Sequence, residues 1–477
     1  MPCGIILGMK PKTRHIICYL ACFLALLLCV PLPAHATEDA RKQIPVESNE
    51  TEGWPAGPVT GAQSAIVMEA DQGILLYAKN IHERLYPAST TKLMTCLVAM
   101  EHASLSDTVP ITYSAVSAVP PDGSNIGMDP GQSITMEEAL YGIMVGSANE
   151  VSNAVAEYVS GSVPAFAGLM NERAASLGLQ DTHFTNPNGL HDDNHYTSAY
   201  DLAVIAKAFF DNVTLSEIGG TARYHFEPGP NQPDDFWLRN KHALITGDVS
   251  VEGVIGGKTG FTDEAGECLV TCAEKNGLRL ICVVLFEDTY AQFTDSAALL
   301  EYGFTRFESV LAAGNENSLL PDTPAFFLPD RSLFGKDLST LSFKTGDRLV
   351  LPAGDSFSDA DVSSLTPVEN DDVVAQASYN KNGWFVGDVR IRLLTQSPKA
   401  FALTQGMHGN RRVVYVDVRY TMLALTGAML TVSLVAALIR FSFGIAFSPK
   451  ARKKRRLRRQ KKQTLGHYKS YDANNDK

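Results

Sequence analysis

An uncharged apolar run of 19 residues, at 421–439, restricts the fold of this 477-residue chain more than any other feature. A run of that length without charges is typical of one helix that crosses a lipid bilayer. The next segment, 440–477, carries 13 basic and two acidic residues, and the positive-inside rule assigns such a segment to the cytoplasm. We therefore expect a single-pass protein of the cell membrane, with a transmembrane helix, a basic cytoplasmic tail and an extracytoplasmic body.

The N-terminal segment agrees with this topology. Three basic residues precede an almost wholly apolar stretch at 16–30, and Ala34 and Ala36 then provide small residues two apart. This order is typical of a secretory signal peptide, with an uncleaved anchor as the alternative. We interpret 1–36 as a signal peptide that is cleaved after Ala36.

The body between the two ends is acidic. Residues 37–439 hold 25 basic and 50 acidic residues, a net charge of −25. Nucleic-acid binding needs a clustered basic surface, so the charge argues against nucleic acid as a partner. The chain as a whole has 45% hydrophobic and 19% charged residues, which is a globular composition, and its length predicts two or three domains.

Local patterns divide the body into three parts. Residues 37–60 are polar, with Pro, Gly and Thr, and we interpret them as a linker. Residues 61–305 mix helical patterns with hairpin-connected strands, including two apolar runs joined at Asn276-Gly277, a strong hairpin signal. This part is predicted to have an α/β (α+β) fold with helices packed on an antiparallel sheet. Residues 306–405 show short strands and turns, which predict a small all-β domain.

A capping-box pattern predicts one helix start near the candidate chemistry. Thr135 is followed three residues later by Glu138, a pairing that caps helix N-termini. The predicted helix continues to Gly146, where glycine can interrupt it, and a second helix resumes at Asn149.

Three short motifs carry the candidate chemistry, and the first is Ser89-Thr90-Thr91-Lys92 at a predicted helix start. Side chains three residues apart share one face of a helix, so the lysine amine can reach the serine hydroxyl. The amine accepts the serine proton if burial and neighbouring cations lower its pKa. At a helix start the backbone N–H of Ser89 points outward, as an oxyanion donor does.

The second motif is Ser147-Ala148-Asn149, between the two predicted helices. A hydroxyl at Ser147 can relay protons between Lys92 and a leaving amine. The amide of Asn149 can hold a carbonyl group of a peptide substrate.

The third motif is Lys258-Thr259-Gly260, on a predicted edge strand. A cation and a hydroxyl suit a substrate carboxylate. Glycine at position 260 removes a Cβ that would obstruct an extended peptide, so the motif favours strand addition by a peptide substrate.

Copies of these motifs show that each is weak by itself. A second Lys-Thr-Gly begins at Lys344, and Ser378-Tyr379-Asn380-Lys381 fits the first two motifs at once. One serine cannot be both nucleophile and relay, and these copies lie in strand-and-turn contexts in the wrong order. For an isolated match, a helix cap beside a solvated lysine is the simpler interpretation, but the ordered set favours catalysis by Ser89.

The ordered set resembles that of penicillin-recognising serine enzymes. The closer resemblance, over about 60–305, is to low-molecular-mass penicillin-binding proteins, the serine-type D-alanyl-D-alanine carboxypeptidases. The stretches that carry it are YPASTTKLMT, GSANE, FTNPNGLHDDNHYTSAYDLA and GGKTGFTDEAGECLV. That family usually attaches to the membrane by an amphipathic C-terminal helix, whereas this sequence predicts a spanning helix.

The resemblance implies roles for the motif residues. Ser89 would be the acylated nucleophile, Lys92 its general base, and the backbone N–H groups of Ser89 and Phe261 the oxyanion hole. By motif, the catalytic residues are Ser89, Lys92 and Ser147, and the substrate-binding residues are Asn149, Lys258, Thr259, Gly260 and Phe261. The implied reaction removes the terminal D-alanine from peptidoglycan stem pentapeptides through an acyl-enzyme, with β-lactams as inhibitors and without a metal or organic cofactor.

Other functions remain as alternatives. A β-lactamase needs a base that activates water for deacylation, and Glu227 is the candidate, although it lies close to the third motif in the chain. A membrane-bound penicillin sensor needs a cytoplasmic effector, for which the basic tail is short. His191 and His195 resemble spaced metal ligands, but their turn-rich loop favours a structural role over the cleft.

Four cysteines remain after residue 36: Cys96, Cys268, Cys272 and Cys282. All have apolar neighbours, so we expect buried free thiols. One disulfide between Cys272 and Cys282, across the predicted hairpin, stays open as an alternative.

Overall fold

The computed structural model describes residues 38–316, 341–368 and 373–393, together with 453 and 456–458. In that part of the chain the helices are α1 (Glu38–Arg41), α2 (Lys92–His102), α3 (Tyr113–Ser117), α4 (Met136–Val145), α5 (Asn149–Ser160), α6 (Val163–Ser176), α7 (Ala199–Phe210), α8 (Val213–Gly219), α9 (Ala243–Thr246) and α10 (Ala291–Arg306). The strands are β1 (Ser64–Glu69), β2 (Leu75–Lys79), β3 (Thr108–Pro110), β4 (Ser133–Thr135), β5 (Arg223–Phe226), β6 (Phe236–Arg239), β7 (Val254–Thr262), β8 (Gly266–Lys275), β9 (Leu278–Glu287), β10 (Phe307–Leu311), β11 (Leu341–Phe343), β12 (Arg348–Pro352), β13 (Asp361–Pro367), β14 (Val373–Lys381) and β15 (Trp384–Leu393). Single 3-10 turns cover Glu47–Glu50, Ala88–Thr91 and Phe357–Asp359.

Five antiparallel strands form the central sheet, in the order β2-β1-β9-β8-β7. The β8–β9 hairpin turns at Asn276 and Gly277, whose φ angles are +54° and +74°, as a two-residue hairpin turn requires. Both the predicted antiparallel sheet and this hairpin are confirmed. Strand β7 lies at the sheet edge, so its outer backbone groups are open to an added strand.

Both faces of the sheet are covered, which explains the nearly continuous apolar runs of β8 and β9. Successive strand residues point to opposite faces. Ile66 packs in one cluster with α2 and α4–α8, whereas Val67 packs in the other with α10 and the β segment. The predicted packing of helices on an antiparallel sheet is therefore present, and the structure adds that helices cover both faces.

The capping box predicted at Thr135 is present. The Thr135 hydroxyl accepts from the Glu138 N–H at 3.2 Å, and Glu138 accepts from the Thr135 N–H at 2.7 Å. Such a cap stabilises a helix by about 1 kcal/mol. Helix α4 ends at Gly146, where a Cβ would lie 2.4 Å from Ile126 Cγ2, so close packing as well as helix termination requires glycine there.

Between α10 and residue 393 the regular elements of the described residues are strands and one 3-10 turn, so the predicted all-β character is seen in part. They form a four-stranded sheet, β11-β15-β14-β13, and the pair β10-β12. This β segment, 307–393 where described, belongs to the same compact unit as the catalytic part. Trp384 joins the two, because its indole N–H donates to Leu75 O at 2.5 Å and its ring lies 5.7 Å from that of Trp54.

The interpretation of 37–60 as a linker is wrong for the described residues. Arg41 is buried and donates to Gly61 O at 2.6 Å and to Asp288 at 2.5 Å. Trp54 is only 6% exposed and donates to Leu76 O at 3.0 Å. The segment is polar on average, yet Arg41 and Trp54 hold it against the sheet. The average composition of a segment does not reveal single buried residues of this kind.

All four described cysteines are buried and free, as predicted. The alternative disulfide between Cys272 and Cys282 is not formed. Cys272 is opposite Ile281 and Cys282 is opposite Thr271 in the hairpin. Because neighbouring positions alternate in direction, the two thiols point to opposite faces of the sheet.

None of the helices in the described ranges has the length and apolar character needed to cross a membrane. The predicted signal peptide at 1–36 and the predicted span at 421–439 lie outside those ranges.

Candidate active site

Ser89 lies in the 3-10 turn Ala88–Thr91, which leads directly into α2. The helix start predicted there is present, but its first turn is tighter than an α-helix. Ala88 has a φ of +47°, a conformation that is uncommon for a residue with a side chain. At Gly189, a Cβ would lie 1.9 Å from Ala88 O, so only glycine lets the neighbouring loop approach this turn.

Lys92 is fully buried behind Ser89 and has three polar neighbours. Its Nζ lies 2.8 Å from Ser89 Oγ, 2.7 Å from Asn149 Oδ1 and 2.6 Å from Asn188 O. Burial and then the nearby Lys258 cation lower the pKa of the Lys92 amine well below its ordinary value. Both effects disfavour a charged amine, so the neutral base predicted from the sequence has a physical cause here.

The three neighbours also fix the orientation of a neutral amine. The oxygens of Asn149 and Asn188 are carbonyl acceptors, so each takes one N–H of Lys92. A neutral amine has two N–H groups and one lone pair, and the lone pair is left for the third neighbour, Ser89. That neighbour has a hydroxyl proton to give, so the geometry suits proton transfer from Ser89 to Lys92.

Ser147 lies at the break between α4 and α5, with a φ of +59°. Its Oγ accepts from Lys258 Nζ at 3.1 Å. Within the described residues no hydrogen bond joins Ser147 to Lys92. A proton relay through Ser147 would therefore begin at Lys258 rather than at Lys92. Asn149 begins α5 and is directed at the amine of Lys92.

Lys258 is 2% exposed and also donates to Thr259 O at 2.9 Å. Burial, and then the charge of Lys241, lower the pKa of Lys258 to about 7. Lys241 lines the same cleft and donates to Ser124 at 3.1 Å. Sequence reasoning missed Lys241, because a lone lysine near a helix start has no distinguishing pattern.

The position of Gly260 gives a second reason for glycine in the third motif. A Cβ at Gly260 would lie 2.8 Å from Pro87 O and 3.0 Å from Ser89 N. The glycine therefore lets β7 pack against the nucleophile turn of its own chain, the 3-10 turn Ala88–Thr91. The same contact brings β7, with the neighbouring Phe261, next to the backbone N–H of Ser89.

The turn-rich loop of 182–198 closes the site from the other side. Asn188 gives its carbonyl to Lys92 and its side chain to Asn153 at 2.9 Å. His195 is buried, with Nε2 2.8 Å from Thr91 Oγ1 and Nδ1 accepting from the Thr185 N–H at 3.1 Å. A histidine held in this way has a structural role, as its sequence context favours. Sequence reasoning missed Asn188, because its backbone carbonyl leaves no residue-type signal.

A cleft of about 770 Å³ opens in front of these groups. Of the predicted residues, those that line it are Ser89, Ser147, Asn149, Thr259, Gly260 and Phe261. Lys92 and Lys258 are buried behind that lining. The three motifs, far apart in the chain, therefore meet at one cavity.

The competing residues lie elsewhere. Glu227, the candidate β-lactamase base, is 82% exposed on its side chain beside His225 and does not line the cleft. The second Lys-Thr-Gly, at Lys344, lies between β11 and β12, and Ser378 lies in β14. Both copies belong to the β segment and neither contributes to the cleft.

Known proteins match the chain over the same region. The D-alanyl-D-alanine carboxypeptidase family matches residues 52–289. D-alanyl-D-alanine carboxypeptidase DacF of Bacillus subtilis is 40% identical over 257 residues, which are 52% of this chain and 63% of that protein. DacA of Escherichia coli K12 is 30% identical over 359 residues, 72% of this chain and 86% of that protein.

The fold is likewise similar to a solved structure. Penicillin binding protein 5 from Haemophilus influenzae aligns with a TM-score of 0.55 at 27% identity, over 71% of this chain and 98% of that chain. The aligned share extends past the catalytic part into the β segment. By sequence, fold and converging motifs, the chain belongs to the D-alanyl-D-alanine carboxypeptidase family of serine peptidases, the low-molecular-mass penicillin-binding proteins.

Proposed function

We propose that this protein removes the terminal D-alanine from peptidoglycan stem pentapeptides through an acyl-enzyme on Ser89. The observation that carries the proposal is the set of three oxygens around Lys92. Two are carbonyl acceptors, and the third is the hydroxyl of Ser89. This arrangement leaves the amine lone pair for the serine proton, which a general base for a serine nucleophile requires.

Acylation starts with attack of Ser89 Oγ on the carbonyl carbon between the last two residues. Lys92 takes the hydroxyl proton as the Oγ–C bond forms, and the carbonyl electrons move onto oxygen. The N–H groups of Ser89 and Phe261 stabilise that oxyanion. Ser147 donates its proton to the departing amine nitrogen and recovers one from Lys258, to which it is hydrogen-bonded at 3.1 Å.

Recognition of a free carboxylate makes the reaction a carboxypeptidase reaction. Lys258, Thr259 and Lys241 meet at one end of the cleft, beside the Ser89 turn. A terminal carboxylate there offsets the mutual repulsion of two cations. A peptide without a terminal carboxylate lacks this contact, so it should be a poor substrate.

β-Lactams combine a carboxylate with a strained amide and should acylate Ser89 in the same way. After D-alanine leaves, the proton on Lys92 passes to solvent and Lys258 regains one. Water then attacks the ester carbonyl, neutral Lys92 accepts its proton, and that proton moves to Ser89 Oγ as the acyl C–Oγ bond breaks. We keep the membrane-bound penicillin sensor as the second candidate, because acylation without turnover would use the same residues.

The proposed location is the outer face of the cell membrane, with the chain attached through 421–439 and the basic tail in the cytoplasm. The uncharged run and the 13 basic residues after it support this topology. The full-length protein should partition with membranes and resist carbonate extraction. Truncation after residue 420 should release it, and an unchanged membrane association of the truncated protein would contradict the anchor.

The central test measures D-alanine release from a diacyl tripeptide that ends in D-Ala-D-Ala. Ser89→Ala should lower the rate by about 10⁶-fold, as removal of other serine nucleophiles does. Ser378→Ala, in the motif copy of the β segment, is the matched control and should retain activity. Rapid β-lactam hydrolysis without D-alanine release would overturn the proposal in favour of a β-lactamase, and stable acylation without turnover of either compound would favour the sensor.

A further inference from the structure

Helix α5 carries a second asparagine one turn beyond Asn149. Residues four apart lie on the same face of a helix, and Asn153 is only 2% exposed. Asn149 accepts directly from the Lys92 amine at 2.7 Å, whereas Asn153 bonds to other groups. Asparagine is a poor helix former, and its amide is costly to bury without partners. A buried asparagine inside a helix is therefore stable only with a specific set of contacts.

The hydrogen bonds of Asn153 lead from α3 to the turn-rich loop of 182–198. Its Nδ2 donates to Ala115 O at 3.0 Å, and its Oδ1 accepts from Asn188 Nδ2 at 2.9 Å. Both polar atoms of the amide thus have a partner. A leucine of similar size would fill the same space without the cost of burying an amide, so the amide serves these two bonds.

Backbone groups at the two ends of this chain of bonds fix the direction of each amide. The Leu190 N–H is a donor and lies 2.9 Å from Asn188 Oδ1. The Nδ2 of Asn188 then faces Asn153, which has to present its oxygen. The Nδ2 of Asn153 is left for Ala115 O, an acceptor. Exchanging oxygen and nitrogen in either amide would therefore lose hydrogen bonds.

Every polar group of Asn188 has a hydrogen-bond partner. In addition to its side-chain bonds, its N–H donates to Asn186 Oδ1 at 3.3 Å, and its carbonyl accepts from Lys92 at 2.6 Å. Asn186 and Leu190 belong to the same loop as Asn188. In the part of the chain that the structure describes, the bond to Asn153 is thus the one that ties the Asn188 side chain to a helix.

Helix α5 therefore controls both carbonyl acceptors of the catalytic amine. It provides Asn149 Oδ1 directly, and through Asn153 it holds the carbonyl of Asn188. A neutral amine that gives its two N–H groups to these oxygens directs its lone pair at Ser89 only while the oxygens keep their relative positions. One rigid helix fixes both oxygens, so it also sets the direction of that lone pair.

We propose that Asn153 is a positioning residue for the acylation of Ser89, which acts through Asn188 on the Lys92 amine. The inference rests on the proposed function and adds a residue to its machinery. Asn153 does not line the cleft, so it touches neither the substrate nor the reacting atoms. Its loss should let the Asn188 carbonyl shift, and a misplacement of about 1 Å can lower a rate about 100-fold.

The test measures acylation of Ser89 by a fluorescent penicillin in a stopped-flow instrument. This measurement separates the rate constant of acylation from the dissociation constant of the initial complex. Asn153→Leu should lower the rate constant about 10- to 100-fold and leave the dissociation constant within about twofold. A rate constant within about threefold of wild type in folded Asn153→Leu protein would overturn the inference.

Asn171→Leu is the matched control. Asn171 on α6 also holds the loop of 182–198 by two hydrogen bonds, to the N–H and the carbonyl of Phe184, both at 2.8 Å. Phe184 does not contact the Lys92 amine through a hydrogen bond in the described residues, so this variant should keep the acylation rate constant within about threefold. Equal losses in Asn171→Leu and Asn153→Leu would mean that any loosening of the loop slows acylation, and the specific role of Asn153 would be refuted.

A double-mutant cycle identifies the path of the effect. Asn188→Ala keeps the backbone carbonyl but removes the side chain that Asn153 holds, so it should lower the rate constant by a similar factor. In the Asn188→Ala background, Asn153→Leu should cost about threefold at most. Losses that multiply in the double variant would show that Asn153 acts independently of Asn188, contrary to the proposal. If Asn153→Leu does not fold, Asn188→Ala decides alone, and a wild-type rate constant in that variant would contradict the inference.

Failure of the proposed function gives a different result. Wild-type protein that the penicillin does not acylate would overturn the nucleophile and the inference together. Wild-type protein that is acylated but releases no D-alanine from a peptide would refute the carboxypeptidase reaction alone. In that case the acylation rate constants of the variants still decide the role of Asn153.

Discussion

The proposed reaction needs opposite protonation states of two lysines at the site. Lys92 must be neutral to accept a proton, and burial with the neighbouring Lys258 lowers its pKa. Lys258 must be charged to bind a carboxylate, although burial and Lys241 lower its pKa to about 7. Each cation disfavours the other, so the competent state has Lys92 neutral and Lys258 protonated.

This pairing predicts a bell-shaped pH profile for D-alanine release. kcat/KM should fall at low pH as Lys92 gains a proton, and above about pH 7 as Lys258 loses one. Arginine stays charged throughout and cannot return a proton to Ser147, so Lys258→Arg should remove the basic limb while lowering the maximum about 100-fold or more. The profile is measured on a soluble tripeptide from pH 5 to 10.

Lys344→Arg, in the second Lys-Thr-Gly, is the matched control and should reproduce the wild-type profile. A basic limb at the same pH in Lys258→Arg would assign that limb to another group. In wild type, bound substrate carboxylate favours charged Lys258, so the basic limb of kcat should lie at higher pH than that of kcat/KM.

The loop at 182–198 works as one element because several of its contacts converge on the nucleophile turn and α2. His195 reaches Thr91, Pro187 O accepts from Thr95 at 2.6 Å, and Asn188 O accepts from Lys92. None of these groups takes part in bond breaking, but together they hold the backbone carbonyl of Asn188, which accepts a hydrogen bond from the Lys92 amine. Loosening the loop should therefore affect catalysis through the position of that carbonyl.

Burial of neutral His195 predicts a pH-dependent stability. Burial lowers the pKa of His195 to about 3, from 6.5 in the unfolded chain. Between these values the unfolded chain binds one more proton, so this contribution to the free energy of unfolding falls as the pH decreases. His195→Gln should reduce the slope of stability against pH by about 1.4 kcal/mol per pH unit between about pH 4 and 6.

Denaturant unfolding at several pH values measures this slope, and groups that titrate alike in both proteins cancel in the difference. His102→Gln, an exposed position at the end of α2, serves as the comparison and should keep the wild-type slope. If His195→Gln kept it too, the buried ring would not be the proton-linked group.

The β segment and the catalytic part share a packed junction away from the cleft. Trp54 lies 5.1 Å from Phe307 and 5.7 Å from Trp384 by ring centroids. Gln72 donates to Arg348 O at 2.8 Å and accepts from the Asp388 N–H at 2.6 Å. No β-segment residue lines the catalytic cleft, so this junction supports the fold without forming the site.

Trp384→Ala should therefore separate stability from chemistry. Loss of the indole and its bond to Leu75 should cost about 3 kcal/mol in the free energy of unfolding, with an earlier melting of the β segment in calorimetry. D-alanine release from a soluble tripeptide should stay within about twofold of wild type. Trp237→Ala, with its ring 59% exposed on β6, should have a much smaller effect on stability. A large loss of activity in Trp384→Ala protein that is still fully folded would show that the junction affects the geometry of the cleft.

Local signals in the sequence determined the elements that carry the chemistry. The cap at Thr135, the turn at Asn276-Gly277 and the break at Gly146 each depend on a few neighbouring residues, so a short window contains their physical cause. The order of the three motifs added the candidate nucleophile and its partners. The signal peptide and membrane span, outside the described residues, remain predictions of the same kind.

Long-range packing determined the features that no short sequence segment predicts. Three such features are the carbonyl of Asn188, the charge of Lys241 and the anchor at Trp54. Each contacts residues far away in the sequence, and the residue type alone does not predict these contacts. Gly260 shows the difference most clearly, because the sequence predicted the glycine's importance but not that its missing Cβ would lie against Pro87 and Ser89. The pKa of Lys92 depends on its burial, and the contacts of Gly260 depend on its distance from the Ser89 turn. Neither the burial nor the distance is defined until distant segments of the chain have packed together.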